Sequence, residues 1–309
     1  MFRLGLIGAG RWGQRYISTI HGIEGVELVH LGSANPASQS LVKPSCKVSR
    51  EWHDVATDQS LNGVIVATPP ALHAEMAKAA LVAGVAVLIE KPLTLSLSEA
   101  KDILATSVRT KCLAMVGHTH LFSNAFLTLK RDGCKLGALQ KIRSRGGNWG
   151  PWRPDTPMLW DWAPHDLAMC LDLTGTYPDR IFGTLHESGQ SAGVEGELRE
   201  FRLEFPGGVV ADIHVSNIDA QKSRYFEATF ELGSLVYDDL ASDKLCFLTN
   251  NGVHRAIPLP ASFPLTNLVT EFCQQVTAGQ CSHPSLELGL QVVKLIERLE
   301  TASITGHVL

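Results

Sequence analysis

No run of apolar residues in the chain approaches the ~20 that a membrane-spanning helix needs, which argues against a helical anchor. Its seven cysteines include no C-x-x-C pair. An odd count without that spacing fits reduced thiols better than a disulfide framework or a zinc site, so no metal is expected. The start of the chain lacks the basic-then-apolar layout of a signal peptide, and the expected location is the cytoplasm. There is no basic excess either. A formal net charge of -4 gives no electrostatic reason to expect nucleic acid or an anionic membrane as partner. Internal repeats, low-complexity tracts and flexible linkers are all missing. What is present is 309 residues, 45% hydrophobic and 19% charged. That is a globular composition, long enough for two domains at roughly 150 residues each.

The first 119 residues alternate strand-like and helix-like segments. Phe2 to Gly8 reads as a buried strand, Gln14 to Ile20 as a helix and Val26 to Leu31 as a second strand. Apolar runs at 63–68, 85–89 and 113–117 are separated by helix-type segments at Ala71–Ala83 and Ser96–Ser107. Ser96 and Glu99 have the spacing of a capping box. Such alternation predicts an α/β doubly wound parallel sheet of Rossmann type over residues 1–119. From 120 to 309 the rhythm changes. Helical pieces at 123–132 and 165–173 frame an Arg- and Trp-rich stretch, and strand-like runs follow at 201–205, 209–215 and 225–232. Helical segments near 266–277 and 286–301 close the chain. This second part reads as an α+β domain around a larger, mostly antiparallel open sheet that binds substrate and mediates oligomerisation.

Three short segments carry chemistry. The first is Gly8-Ala9-Gly10-Arg11-Trp12-Gly13, placed after a strand and at the start of a helix. In that setting the glycines allow a tight turn, backbone approach to a pyrophosphate and close helix packing, while the helix N-terminus favours the phosphate charge. The same residues also fit a glycine-rich turn with no ligand. An acid is expected about 20 residues later to hold the ribose. Ser33 stands there instead, which tilts the expectation from NAD towards NADP, with Lys43 or Arg50 able to reach a 2′-phosphate. The second segment is Glu90-Lys91-Pro92, directly after an apolar strand. Proline holds Lys91 in an extended conformation, where it is either a hydrogen-bond donor to a substrate hydroxyl or a solvated strand-end lysine. The third is Asp161-Trp162-Ala163-Pro164-His165-Asp166. Pro164 in a first turn places His165 near a helix N-terminus, where the dipole favours a neutral, proton-accepting ring. Asp161 then orients that imidazole or binds a hydroxyl, and Asp166 is a possible helix-stabilising carboxylate.

Together these segments resemble the Gfo/Idh/MocA oxidoreductase family over nearly the whole chain. Glu90-Lys91-Pro92 is similar to its E-K-P, whose Lys–Pro peptide is typically cis. Asp161 and His165 match its D-x-x-x-H spacing, with Ala163 where glycine is usual and Ala168 where an aspartate is common. Thr68, Pro69 and His73 resemble its T-P-x-x-x-H segment, and Gly233-Ser234-Leu235 its C-terminal glycine turn. The resemblance implies NAD(P) held by Gly8, Gly10, Arg11, Trp12, Gly13, Ser33, Thr68, Pro69, His73, Glu90 and Lys91. It implies Lys91 and His165 as the catalytic pair, assisted by Asp161.

The expected substrate is a sugar, a cyclic polyol or a nucleotide-linked sugar, oxidised or reduced at a secondary alcohol or ketone. Trp149, Trp152, Trp160 and Trp162 offer faces for a pyranose ring. Arg143, Arg145 and Arg153 offer guanidinium groups for a carboxylate or phosphate. Core packing for the tryptophans and solvation for the arginines are the plain alternatives. Two other functions fit the same motifs: a glycosidase using NAD for transient oxidation, and a non-catalytic NAD(P)-binding redox sensor. By analogy of fold, a homodimer or homotetramer is expected.

Overall fold

The computed structural model describes residues 1–191, 194–261 and 263–305. Two compact units emerge. The first is Met1–Thr119 with Phe263–Val293; the second runs over His120–Ser262 and resumes at Lys294. A single boundary near residue 119 is therefore only part of the division, because a late helical stretch returns to the first unit. One bond that brings it back joins the Val116 amide to Ser285 Oγ, at 3.0 Å.

The first unit contains β1 (Phe2–Ile7), α1 (Arg11–His21), β2 (Val26–Gly32), β3 (Lys47–Ser49) and α2 (Trp52–Ala56). It continues through β4 (Gly63–Val66), α3 (His73–Val82), β5 (Ala86–Glu90), α4 (Leu97–Thr110) and β6 (Ala114–Gly117). The six strands lie in the order β3-β2-β1-β4-β5-β6, all pairs parallel. Helices cover both faces of such a sheet, so its strands read as continuous apolar runs; Leu4, Leu6, Val64, Ile65, Val87 and Leu88 are fully buried. The order reverses between β1 and β4, and ligands of open α/β sheets bind at the strand carboxyl ends beside such a reversal. At the start of α4, Ser96 occupies the N-cap position without a side-chain cap bond. Its carbonyl instead accepts from Thr94 Oγ1 at 2.7 Å.

The second unit contains α5 (Asn124–Gly133), β7 (Leu139–Trp149), α6 (Met158–Thr174), β8 (Arg180–Ser191) and β9 (Val194–Glu204). Then come β10 (Val210–Ser216), β11 (Ile218–Phe230), β12 (Gly233–Asp238), β13 (Leu245–Leu248) and β14 (His254–Ala256). These strands form one sheet ordered β14-β13-β12-β11-β7-β10-β9-β8. It is antiparallel except for β7 against β10. The period-2 alternation of β7 buries Ile142 and Ser144 and exposes Arg143 and Arg145, and α6 packs against β7 and β10. The chain closes with α7 (Pro264–Thr277) and α8 (Pro284–Thr305). No described helix is long and apolar enough to cross a membrane.

Candidate active site

In the first unit, the loop after β1 meets the segment after β4. Gly8 has φ +102°, and a Cβ there would lie 2.6 Å from the Ala67 carbonyl oxygen. Gly13 lies so close to the Gly8 carbonyl that a Cβ would collide with it, whereas Gly10 faces open space. A backbone cradle follows. Its floor is sterically closed, its mouth is free, and the first-turn amides of α1 supply donors that lack intrahelical acceptors. No acidic residue occupies that turn, so its partial positive charge is available to a pyrophosphate. Arg11 is exposed and Trp12 half-buried, with the Arg15 guanidinium 5.2 Å from the Trp12 ring centre.

Ser33 follows β2 and is half-buried, its hydroxyl 2.8 Å from Ser38 Oγ and accepting the Asn35 amide at 3.3 Å. Lys43 and Arg50 are exposed.

His73 opens α3 fully buried. Its ring nitrogens lie 2.9 Å from the Pro92 carbonyl and 3.0 Å from the Thr68 carbonyl, tying the segment after β4 to the segment after β5. Glu90 is turned inward and 4% exposed. It accepts Tyr16 Oη at 2.5 Å and the Lys91 amide at 3.2 Å. Burial pushes its carboxyl above the usual range against the opposing pull of those bonds, and the same burial pushes the Tyr16 phenol up. Lys91 is half-buried, and its peptide bond to Pro92 is cis. His118, at the end of β6, is buried with neither ring nitrogen hydrogen-bonded among the described residues. Burial and the Lys91 ammonium push its pKa down to about 3.

In the second unit, α6 begins at Met158, well before the expected start at 165. The apolar run Met158-Leu159-Trp160, entered from Pro157, starts the helix early, and Pro164 sits in its interior. His165 is therefore mid-helix, and the argument from an N-terminal dipole does not apply to it. Asp161 is the acid of the first turn, four residues before His165, so the two share a helix face. Arg153 Nη1 reaches Asp161 at 3.4 Å while its Nε and Nη2 engage Asp155 at 3.2 and 3.0 Å. His165 is 7% exposed. Its ring meets that of His120 edge to face, and His120 Nδ1 lies 2.9 Å from Tyr237 Oη. Asp166 is buried rather than helix-capping. It accepts Ser144 Oγ at 2.5 Å, and burial raises its pKa against the Arg224 charge nearby.

These features agree with the likeness to known proteins. Residues 2–118 match the model of an oxidoreductase family with an NAD-binding Rossmann fold, and 132–236 match the GFO/IDH/MocA C-terminal domain. A solved structure from Magnetospirillum magnetotacticum MS-1 superposes with a TM-score of 0.89 at 41% identity, covering 96% of this chain and 98% of that one. This chain is a Gfo/Idh/MocA family oxidoreductase. The 4-carboxy-2-hydroxymuconate-6-semialdehyde dehydrogenase of Sphingobium sp. is 26% identical over 78% of this chain and 81% of its own length. The scyllo-inositol 2-dehydrogenase (NADP(+)) of Bacillus subtilis is 27% identical over 62% of this chain and 49% of its own.

Within this Gfo/Idh/MocA chain the four tryptophans have different fates. Trp160 is in the core and donates Nε1 to Glu300 at 2.8 Å, and Trp162 is buried beneath the Arg224 guanidinium, 4.4 Å from its ring centre. Trp149 is exposed and packs edge-on against Trp152, 5.1 Å between centroids. Arg145 pairs with Asp219 at 3.1 Å and Arg143 with Glu227 at 3.7 Å on the sheet. Reading the sequence missed His120, Arg224 and Tyr237, which join His165 and Asp166 around one small pocket. They come from three separate places, the segment before α5 (His120), β11 (Arg224) and β12 (Tyr237), which only the tertiary fold brings together.

Proposed function

We propose that this oxidoreductase transfers a hydride between NAD(P) and a secondary alcohol or ketone of a sugar, cyclic polyol or nucleotide-linked sugar. The observation that carries the cofactor half is the cradle of Gly8, Gly10 and Gly13, closed at its floor and open at Gly10. Arg11, Trp12, Ser33, Thr68 and Pro69 would complete the holding of the cofactor. His73 and Glu90, both buried, would act by fixing the strand ends behind it. The bound nicotinamide supplies the hydride acceptor or donor. Lys91 would donate a hydrogen bond to the substrate oxygen and favour its developing negative charge. His165 would accept the hydroxyl proton in oxidation and return it in reduction, and Asp161 would orient the substrate or the ring.

The printed activities of the relatives support an alcohol or aldehyde substrate, and the NADP(+) named for the inositol enzyme supports the lean that Ser33 gives towards NADP. We also infer a homodimer or homotetramer by analogy of fold; light scattering of the purified protein tests it. For the activity itself the test is a fluorescence titration with NADPH and NADH, followed by a turnover screen of sugars and cyclic polyols with the tighter cofactor. Micromolar binding with turnover upholds the reading. Folded, nucleotide-free protein that binds neither would sink it. Release of aryl glycoside leaving groups without net cofactor change would favour the glycosidase instead, and binding without any turnover the sensor.

A further inference from the structure

Helix α1 buries Gly13, Tyr16, Ile17 and Ile20, a spacing of three and four that makes one face of a helix. Tyr16 is the one of these side chains with a polar atom, and it is 0% exposed, so its hydroxyl goes into the core with its ring. Packing gives no reason for that oxygen; a buried phenol needs a partner. Its partner is Glu90, the last residue of β5, whose Oε1 accepts Tyr16 Oη at 2.5 Å. Oε2 of the same carboxylate accepts the Lys91 amide at 3.2 Å. Lys91 lies one residue beyond the last β5–β6 pair, Glu90 with Gly117, so this bond begins where the strand pairing ends. Glycine keeps the space open. A Cβ on Gly117 would come within 3.2 Å of Glu90 Oε1 and 3.3 Å of Tyr16 Oη, closer than favourable packing.

A buried phenol against a buried carboxylate is a poor way to stabilise a core. Replacing both members of such a pair by apolar groups of like shape is often neutral or stabilising. Stability alone therefore does not account for Tyr16 and Glu90. What they do, and an apolar pair could not, is hold the main chain of Lys91 to α1, the helix whose first turn forms the phosphate cradle. Around Glu90 the charged and titratable groups are Tyr16 from α1 and Lys91 on its own strand, and β6 sets the uncharged Gly117 against it. His118, next in the chain, feels the Lys91 charge and stays neutral until about pH 3.

We propose that Tyr16 is the positioning residue of Lys91, acting through Glu90 to tie the main chain of the lysine to the phosphate-binding helix. The proposal rests on the reading of Lys91 as donor to the substrate oxygen and adds the residue that places it. The test follows two NMR signals of the full-length protein as pH is lowered from neutrality, the Lys91 backbone amide and the Tyr16 Cζ carbon. In wild type both should move together, because one carboxylate serves both. E90Q, which cannot ionise, should abolish both movements. Y16F removes only the hydroxyl. Burial pushes the Glu90 carboxyl up, and the Tyr16 bond is the largest pull against it, so in Y16F the Lys91 amide should titrate at higher pH. Between the two midpoints that amide should exchange with solvent about tenfold faster, the factor one hydrogen bond supplies. A tyrosine that merely fills the core would leave the Lys91 midpoint in place. Wild-type signals that titrate apart, which needs no variant to fold, or a Lys91 amide indifferent to Y16F would overturn the assignment. The two readings fail separately. Coupled titration in protein that binds neither NADPH nor NADH would end the cofactor reading alone, and NADPH binding with an unmoved Lys91 amide in Y16F would end the positioning alone.

Discussion

The imidazole rings of His120 and His165 meet edge to face, with centroids 4.8 Å apart and planes at 82°. Two rings at that distance cannot both carry a proton without strong repulsion. Tyr237 Oη, within hydrogen-bond reach of His120 Nδ1, belongs to a phenol that burial keeps protonated. Asp166, Arg224 and Tyr225 line the same pocket. If His165 is the proton acceptor, His120 is its positioning residue. H165A should lower kcat by ~10²–10⁴, the usual worth of a general base, with cofactor binding retained. H120A should lower kcat by about 10-fold or more with a smaller change in KM, and H120F, which keeps an aromatic edge, should recover part of the loss. An H120A enzyme with wild-type kcat and an unmoved pH profile would remove His120 from the site.

The glycine loop separates folding from binding. G13A forces a Cβ against the Gly8 carbonyl, an overpacking whose cost is ~1–3 kcal/mol or more, so its melting temperature should fall with its cofactor affinity. G10A places a methyl in open space. Stability should then change by less than about 1 kcal/mol, while the methyl blocks the backbone approach that a pyrophosphate needs. Thermal melts beside NADPH titrations check both. G10A binding as tightly as wild type would mean that the phosphate is held elsewhere.

The Rossmann half was legible because its signals are local. Gly8 to Gly13 is one turn, and Glu90-Lys91-Pro92 closes one apolar strand. The second half hides more. Pro164 read as a first-turn proline, yet the helix begins at Met158, because an apolar run and a proline N-cap outweighed the proline rule at 164. Strand β10 runs parallel to β7 with α6, β8 and β9 intervening, and no local period announces that crossover. Arg224 on β11 reaches Trp162 on α6, and His120 before α5 reaches Tyr237 on β12, through packing between elements far apart in sequence, so neither could be singled out from sequence.

Ser33 gives the cofactor test. No acid stands at the end of β2, and the Ser33 hydroxyl is paired only with small polar neighbours, leaving no carboxylate there to repel a 2′-phosphate. NADPH should bind more tightly than NADH. S33D should weaken NADPH at least about tenfold by like-charge repulsion, since 1.4 kcal/mol is a factor of ten, and should spare NADH. Fluorescence titrations of both variants decide it; a wild type that prefers NADH would reverse the assignment.

His118 makes stability depend on pH with a definite sign. Its pKa is pushed down to about 3 in the folded chain, against ~6.5 for an unperturbed histidine. Between those values the unfolded chain binds a proton that the folded one does not. Stability therefore falls as pH drops through 6.5, by up to ~1.4 kcal/mol per pH unit for this one group. Glu90 works the other way. Its carboxyl is raised by burial, so the folded chain holds a proton just above the usual carboxylate range, and that part of the stability grows as pH falls. Other groups add to the wild-type slope, among them His283, which burial also pushes down, and H118L isolates the His118 share by replacing it with an apolar side chain of similar size. Denaturant unfolding at pH 7 and pH 5 should show a smaller loss for H118L than for wild type. It should also show H118L at least as stable at pH 7, because an unpartnered buried imidazole has been removed. Equal losses would mean that His118 protonates in the folded protein and has found a partner there.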